Sequence, residues 1–352
     1  MKQPRVALET QFALSRPTGL GVYARRLAAA LGARGDLDVV ELCEPGLDVW
    51  RFDRRLFWDQ VRAPLLARFS GADVVHFTGG TLPWRTPHPV VLTLHDLVWL
   101  RGANRGRAYV RWYFGRLQPW LARRADALVV DSEAARTDVA DGLGIDPARI
   151  AVAGVGVEEA FFEIERNPTA EPFVLAVGTI EGRKDLATAV RALARLPDMR
   201  LVAAGAATRY ADEVLALAHS LGVAGRLELR GYVDDASLRE LYATALALVF
   251  PSRYEGFGLP PLQALACALP VAAARTPVTR EVLGTSAWFF EPGDDRELAE
   301  AIERIASGGA EVDARLRDGV ARARSFTWER VAEKMASVYR SVLSQSLNRQ
   351  PT

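Results

Sequence analysis

Short apolar runs alternate with amphipathic stretches along the whole chain, and this alternation limits the fold more than any other feature. Apolar runs fall at 5–9, 38–42, 74–77, 90–94 and 128–131, and a second series at 173–177, 201–204, 227–230, 247–250 and 269–272. They are continuous rather than alternating, which suits strands buried on both faces of a parallel sheet. Between them, stretches such as 22–31, 186–195 and 211–221 carry apolar residues at helical spacing. The pattern predicts an α/β chain built on doubly wound parallel sheets. Segment 163–172, EIERNPTAEP, is polar, holds two prolines and separates the two series. A length of 352 residues also favours two domains over one. The expected division is 1–165 and 166–326, with a closing helix within 327–352 that can pack on either domain. Ligands of such sheets bind beyond the carboxyl ends of the strands. Two such domains facing each other create a cleft lined by strand-end loops, so chemistry is expected just after strands.

Composition excludes several classes. The formal net charge is +1, so no bulk field points to nucleic acid as a partner. Of the basic residues only Lys2, Lys184 and Lys334 are lysine and the other 41 are arginine, which singles out an internal lysine in a chain that otherwise uses arginine. Cys43 and Cys267 stand far apart in apolar runs and read as buried thiols of a reducing compartment. The first 18 residues hold no signal-peptide core, and no apolar run approaches the roughly 20 residues that span a bilayer. The expected location is cytoplasmic, with peripheral contact at the inner face of the membrane left open. Asp36-Leu37-Asp38 precedes a strand and reads as turn chemistry. No His/Cys/Asp cluster has metal-ligand spacing, so no metal is expected to be required.

The densest signal is Ser252-Arg253-Tyr254-Glu255-Gly256-Phe257-Gly258-Leu259-Pro260. It follows an apolar run ending at Phe250 and precedes a helix starting near Pro260, where proline loses no intrahelical N–H. Glycines allow close backbone approach, and a helix start offers N–H groups to an anion. A carboxylate held there grips sugar hydroxyls by charge-assisted hydrogen bonds; alone, Glu255 would read as a carboxylate serving the helix dipole. The stretch from 231 to 293 resembles the E-x7-E region of retaining GT-B glycosyltransferases, specifically glycosyltransferase family 4. In that family the first Glu binds the donor sugar and the second the ribose. Glu255 matches the first; the second is Gln263, which keeps hydrogen-bonding capacity but lacks the charge.

Further segments carry the resemblance along nearly the whole chain, strongly over 173–293 and loosely elsewhere. Gly178-Thr179-Ile180-Glu181-Gly182-Arg183-Lys184 follows a strand and sets two cations at a helix start, where the dipole disfavours them unless an anion arrives. It is similar to the family's phosphate-holding loop, which assigns Arg183 and Lys184 to the departing diphosphate and places Thr179 beside it. Thr18-Gly19-Leu20-Gly21 resembles the glycine-rich loop facing donor phosphates and acceptor. It also mimics a dinucleotide fingerprint, but Gly19 stands some ten residues past its strand. His95-Asp96, in VVLTLHDL, resembles the strand-HD segment whose His lines the sugar site; a structural His is the plainer reading. Asp131-Ser132 resembles another family segment, with Ser132 read as a helix N-cap. Gly154–Val157 resembles a turn near the interdomain cleft. Tyr232 and Val233 fall where the family meets the base, and Gly256, Phe257, Gly258 and Leu259 line the donor site. His76 carries modest weight; His88 and His219 read as surface residues.

The resemblance implies the GT-B fold: two Rossmann-like domains facing a central cleft, the last helix crossing back to the first. It implies a hexose moved with retention from a nucleotide diphosphate sugar, GDP-mannose-like, to a glycan or lipid-linked acceptor, with Glu255, His95, Arg183 and Lys184 at the reacting end and no cofactor beyond the donor. A binding subunit without activity, an NAD-dependent oxidoreductase and a GT-B epimerase are the rivals. Stretch 101–124 holds seven arginines, several aromatics and no acid, which fits either an anionic membrane surface or an ordinary solvated helix face.

Overall fold

Most strand runs feed a helix that returns over the sheet, although the run 74–77 passes to 90–93 with no helix among the described residues, and twelve strands are formed. The computed structural model describes residues 3–14, 18–86, 89–98 and 108–348. Strands β1 (Arg5–Glu9), β2 (Asp38–Leu42), β3 (Val74–Phe77), β4 (Val90–Thr93), β5 (Ala127–Val130) and β6 (Ile150–Val152) form one sheet in the order β2-β1-β3-β4-β5-β6. Strands β7 (Phe173–Val177), β8 (Arg200–Ala204), β9 (Leu227–Gly231), β10 (Ala247–Phe250), β11 (Val271–Ala274) and β12 (Trp288–Phe290) form the other, in the order β12-β11-β10-β7-β8-β9. Every pairing is parallel. Central strands such as β3, β10 and β11 are buried at every position, as a sheet covered on both faces requires.

The chain divides into two compact units, Met1–Gly156 with Thr327–Thr352, and Val157–Phe326. The polar segment 163–172, expected at the junction, is fastened to the second unit. Arg166 donates to the carbonyls of Tyr242, Ala243 and Ala245, and the Asn167 amide donates to Ala243. The first core gathers Phe12, Trp58, Phe77 and Leu92. The second gathers Val190, Leu201, Val249 and Phe290 under the helices Leu186–Leu193 and Asp295–Ala306. No helix among the described residues is long and apolar enough to cross a membrane.

Several expectations shift. The run at 269–272 becomes β11 at Val271–Ala274, because Ala268 turns the chain at φ 53° before Pro270. Cys267 is buried, but Cys43 is partly exposed rather than buried. Asp36 pairs with Arg34 and Arg340, and Asp38 with Arg5, which is turn and strand-edge chemistry. Ser132 caps the helix Glu133–Leu143 by accepting from the Ala135 amide at 3.0 Å. His219 is exposed. His88 and residues 101–107 of the arginine-rich stretch lie outside the described residues.

The closing helix, Trp328–Asn348, belongs to the first unit. Tyr23 and Trp328 meet edge to face at 5.7 Å, and His76, fully buried, spans the Tyr339 hydroxyl (2.8 Å) and the Thr93 hydroxyl (2.7 Å). Burial, aided by the charge of His95, pushes His76 down to about 3 from an ordinary 6.5. The unfolded chain therefore takes up a proton that the folded chain refuses, and His76's contribution, present above pH 6.5, drains away toward pH 3. Urea titrations should show a gentler loss of stability with falling pH for His76→Gln than for wild type. Tyr339→Phe should cost roughly 1–3 kcal/mol at neutral pH, the penalty for stranding a buried polar group.

Candidate functional site

The second sheet reverses its direction of growth between β7 and β10: β8 and β9 extend it on one side, β11 and β12 on the other. Loops leaving two such strands diverge and open a crevice at their carboxyl ends. The loop after β7 carries Gly178–Lys184 and the loop after β10 carries Ser252–Gly258, so the topology alone brings the two strongest sequence signals together.

The first loop is set by backbone crowding. A Cβ on Gly205 would stand 2.0 Å from the Gly178 carbonyl oxygen, so the chains leaving β7 and β8 touch backbone to backbone. The Gly178 and Ile180 amides donate to Ala204 and Ala206 and prolong the pairing past the strands. Gly182–Lys184 then forms a single 3-10 turn, and Asp185 takes a left-handed φ of 48° before the helix Leu186–Leu193. Such a conformation costs a non-glycine residue on the order of 1–2 kcal/mol. Asp185 is held in it by Arg253 (2.7 Å) and the Thr188 hydroxyl (2.8 Å), both on its carboxylate.

The second loop locks onto this turn. The Arg253 amide donates to the Arg183 carbonyl at 2.9 Å. Arg183 donates to Glu255 at 2.9 Å and to the Tyr254 carbonyl at 3.2 Å, and Lys184 donates to the other Glu255 oxygen at 2.5 Å. Glu181 pairs with Arg183 at 2.8 Å, and the Lys184 ammonium lies 5.2 Å from the centre of the Phe250 ring. The Glu255 side chain is only 10% exposed. Burial alone would raise its pKa, but Lys184 and Arg183 outweigh burial and hold it below the usual carboxylate range. The result is an ionised carboxylate bridging two cations at the crevice.

Gly258 precedes the helix Leu259–Ala266 at φ 92°, a conformation glycine adopts without strain. The anion-binding helix start expected here is weaker than the sequence suggests, since Pro260 and Pro261 remove two of the first four N–H groups. Gly256, Phe257 and Gly258 are buried, with Phe257 edge-on to Phe326 at 5.8 Å. Gln263 is buried on the inner face of that helix, its carbonyl oxygen 3.3 Å from the Tyr242 hydroxyl. Thr179 is exposed beside the cation turn. Tyr232 is exposed just beyond β9, with Val233 next to it before the helix Asp235–Thr244.

Gly19 and Gly21 are not in a loop. Thr18 caps the helix Gly19–Gly32, so both occupy its first turn. A Cβ on Gly21 would come within 2.6 Å of the Phe12 carbonyl oxygen, so Gly21 admits the preceding 3-10 turn Gln11–Leu14.

In the first unit, His95 stands beyond β4 with Nδ1 2.7 Å from Asp131 and Nε2 3.1 Å from the Thr78 carbonyl oxygen. A carboxylate and a carbonyl both accept, so these contacts favour the doubly protonated, charged ring. Burial opposes that charge, but Asp131 outweighs it and the pKa is raised. Tyr23 packs edge-on to the ring at 4.6 Å. Asp131, which the sequence shows only beside a cap, is thus the counter-charge of His95. Asp185 and Gly205 are given no role by the sequence, their only signal being position after a strand, and Arg253 stands in the densest motif without a role of its own. Among the described residues no group of three His, Cys, Asp or Glu is placed to hold a metal ion.

Two family models match in succession, "Glycosyltransferase Family 4" over residues 17–161 and "Glycosyl transferases group 1" over 157–321. D-inositol 3-phosphate glycosyltransferase of Acidothermus cellulolyticus is 30% identical over 321 residues, covering 81% of this chain and 70% of its own. The chain belongs to the group 1/family 4 glycosyltransferases. The serotype-specific mannosyltransferase WbdA of Escherichia coli is 25% identical over 79% of the chain, which spans 36% of that relative's length. Sucrose-phosphate synthase of Thermosynechococcus elongatus superposes with a TM-score of 0.78 at 21% identity, covering 97% of this chain and 100% of that one. Anabaena HepE in complex with UDP and glucose superposes at 0.71 and 18% identity, covering 96% and 99%. The fold is GT-B, with two Rossmann-like parallel-sheet units.

Gly205→Ala should be the most damaging small substitution near the crevice. It should lower stability by about 2 kcal/mol or more in chemical denaturation, because backbone rather than a side chain must yield.

Proposed function

We propose that this chain moves a hexosyl group from a nucleotide diphosphate sugar to a glycan or lipid-linked acceptor, with retention and without a required metal. The single observation that carries the reading is the meeting of Arg183, Lys184 and Glu255 where the second sheet reverses. In the proposed step the bond from the anomeric carbon to the diphosphate oxygen breaks. A bond to the acceptor oxygen forms on the same face, and the acceptor proton passes to a phosphate oxygen. Negative charge grows on the leaving diphosphate, so cations already fixed beside it stabilise the transition state more than the ground state. Glu255 uses one oxygen for each cation, yet a carboxylate has about four lone-pair sites, which leaves capacity for sugar hydroxyls. Thr179 and Gly256–Leu259 are proposed to line the donor, Tyr232 and Val233 the base, and Gln263 the ribose. Gly19 and Gly21 are proposed to contribute the backbone of a helix start. A mannosyl donor is supported by the names of the mannosyltransferase relatives, and a nucleotide diphosphate donor by the UDP-bound structural neighbour.

His95 is proposed to line the sugar site and to act through its charge, since both ring nitrogens already meet Asp131 and the Thr78 carbonyl. A cytoplasmic location is proposed as well, and the composition of 101–124 supports peripheral contact at an anionic membrane. The second reading, a nucleotide-sugar binder without turnover, is favoured by one residue, Gln263.

A nucleotide-release screen decides between them: purified chain, EDTA present, guanosine, uridine, thymidine and adenosine diphosphate sugars, each with and without candidate acceptors. The expected result is release from one donor, lowered on the order of a hundredfold or more in Glu255→Ala. Binding without release by any acceptor overturns the transfer reading in favour of the binder, and dependence on added metal overturns the metal-free claim. Since the His95 pKa is raised, its cationic form persists above the ordinary 6.5 and is lost as pH climbs further. Asp131→Asn should therefore move the alkaline limb of the rate profile to lower pH, with little change at acidic pH.

A further inference from the structure

The helical stretch from 52 to 69 in the first unit is amphipathic the wrong way round. Its inward face buries Arg55 and Asp59, at 7% and 2% exposure, together with Trp58, Ala63 and Ala67. Its outward face carries Phe57, Val61, Leu65 and Phe69, at 48%, 50%, 43% and 77%. The inward charges are satisfied. Arg55 pairs with Asp59 at 2.9 Å and reaches the Gly79 carbonyl and the Thr81 hydroxyl, and the Tyr113 hydroxyl donates to Asp59 at 2.7 Å.

The outward residues recur every four positions. In a regular α-helix that stride drifts about 40° per step and would wind the stripe around the axis. Here a π-helical turn, Trp58–Arg62, sits between the helices Phe52–Phe57 and Ala63–Phe69; its wider turn absorbs the drift and keeps the stripe on one side. A second π-helical turn, Tyr113–Leu117, lies in the neighbouring stretch, and Gln60 donates to the Tyr113 hydroxyl at 3.1 Å. That stretch exposes Tyr109, Trp112 and Trp120, and Trp84 stacks near Trp120 at 5.0 Å. Phe52 and Tyr109 meet at 5.1 Å, which joins the two helical stretches edge to edge. The second unit, by contrast, exposes only Leu215, Leu221 and Tyr232 of its large apolar side chains among the described residues.

The neighbouring stretch 108–124 carries charge of one sign, although Asp53 on the first stretch pairs with Arg51. From 108 to 124 the chain holds Arg111, Arg116, Arg123 and Arg124 and no acidic residue, and the Arg124 guanidinium lies 4.7 Å from the centre of the Trp120 ring. Aliphatic and phenyl groups, tryptophans and tyrosine, and arginines are the three components that match acyl chains, the interfacial zone and anionic headgroups.

We propose that the outward stripe of 52–69 inserts into the interface of an anionic bilayer, beside the arginines and tryptophans of 108–124. The inference rests on the membrane contact proposed above for 101–124 and adds the element that enters the lipid. The intact chain is sedimented with vesicles of phosphatidylcholine alone and of phosphatidylcholine with phosphatidylglycerol, and its oligomeric state is measured by light scattering. Two variants accompany it, Phe57→Ser with Phe69→Ser, and Arg116→Gln with Arg124→Gln. All these side chains point outward, so thermal midpoints should match wild type. The expected result is wild-type binding to the anionic vesicles only, weakened about tenfold in each variant. If wild type ignores both vesicles, the stripe and the 101–124 contact fall together. If the arginine variant is weak and the phenylalanine variant binds like wild type, the stripe alone is overturned. If wild type is a dimer that the phenylalanine variant breaks, with no vesicle binding, a second copy covers this face and the proposal is overturned. Donor turnover is not part of the readout, so the transfer reading stands or falls separately.

Discussion

One buried carboxylate holds the second unit's crevice in shape. Glu255 stays ionised away from water because Lys184 and Arg183 arrive on its two oxygens, and Lys184 in turn finds its counter-charge there, while Arg183 is shared between Glu255 and Glu181. Removing either side strands charge in a poorly hydrated place, which costs more than the pair itself contributes. The pair also joins loops some seventy residues apart, at the point where the sheet turns back on itself. The left-handed Asp185 and its bonds to Arg253 and Thr188 supply the rest of the frame. A site of this kind is rigid before any ligand arrives, which is what electrostatic stabilisation of a leaving group demands.

Much of this was legible in the chain because the punctuation is strong. Pro172 and Gly178 bracket β7, and its ends fall where the apolar run predicts. The region from 264 to 274 offers one such mark, Pro270, inside an otherwise apolar run where period cannot tell helix end from strand start. There the structure is decided by Ala268 turning and by Pro270, which accepts from the Leu248 amide but has no N–H to donate, so β11 begins two residues late. β6 and β12 are three-residue edge strands, too short for any window. At the site, Arg183, Lys184 and Glu255 could be placed after strands, but their direct contact depends on which strands are neighbours. Gly205 is required by a neighbouring backbone and has no local signature at all. Thr18 misled in the opposite direction: a capping threonine and two small residues look like a ligand loop until the helix is seen to start there.

The first unit shows how far burial can depart from hydropathy when polar groups find one another. Arg55, Asp59, Tyr113 and Thr81 sit inside because each meets a partner, and a satisfied polar interior frees apolar side chains to stand outside. The two π-helical turns belong to the same solution, since each shifts a helix by one residue and brings Gln60 and Asp59 onto Tyr113.

The bond between His76 and Tyr339 crosses 263 positions of sequence. Its partner helix is made after every residue of the second unit. During synthesis the second unit, continuous from Val157 to Phe326, can close while the first still lacks the helix that covers Tyr23 and His76. The first sheet therefore waits, with a dry surface exposed and a histidine open to protonation, for the time the ribosome needs to add the intervening residues. Chain order makes the unit that begins earlier the later one to finish folding, and makes the helix Trp328–Asn348, rather than the opening strands, the step that commits it.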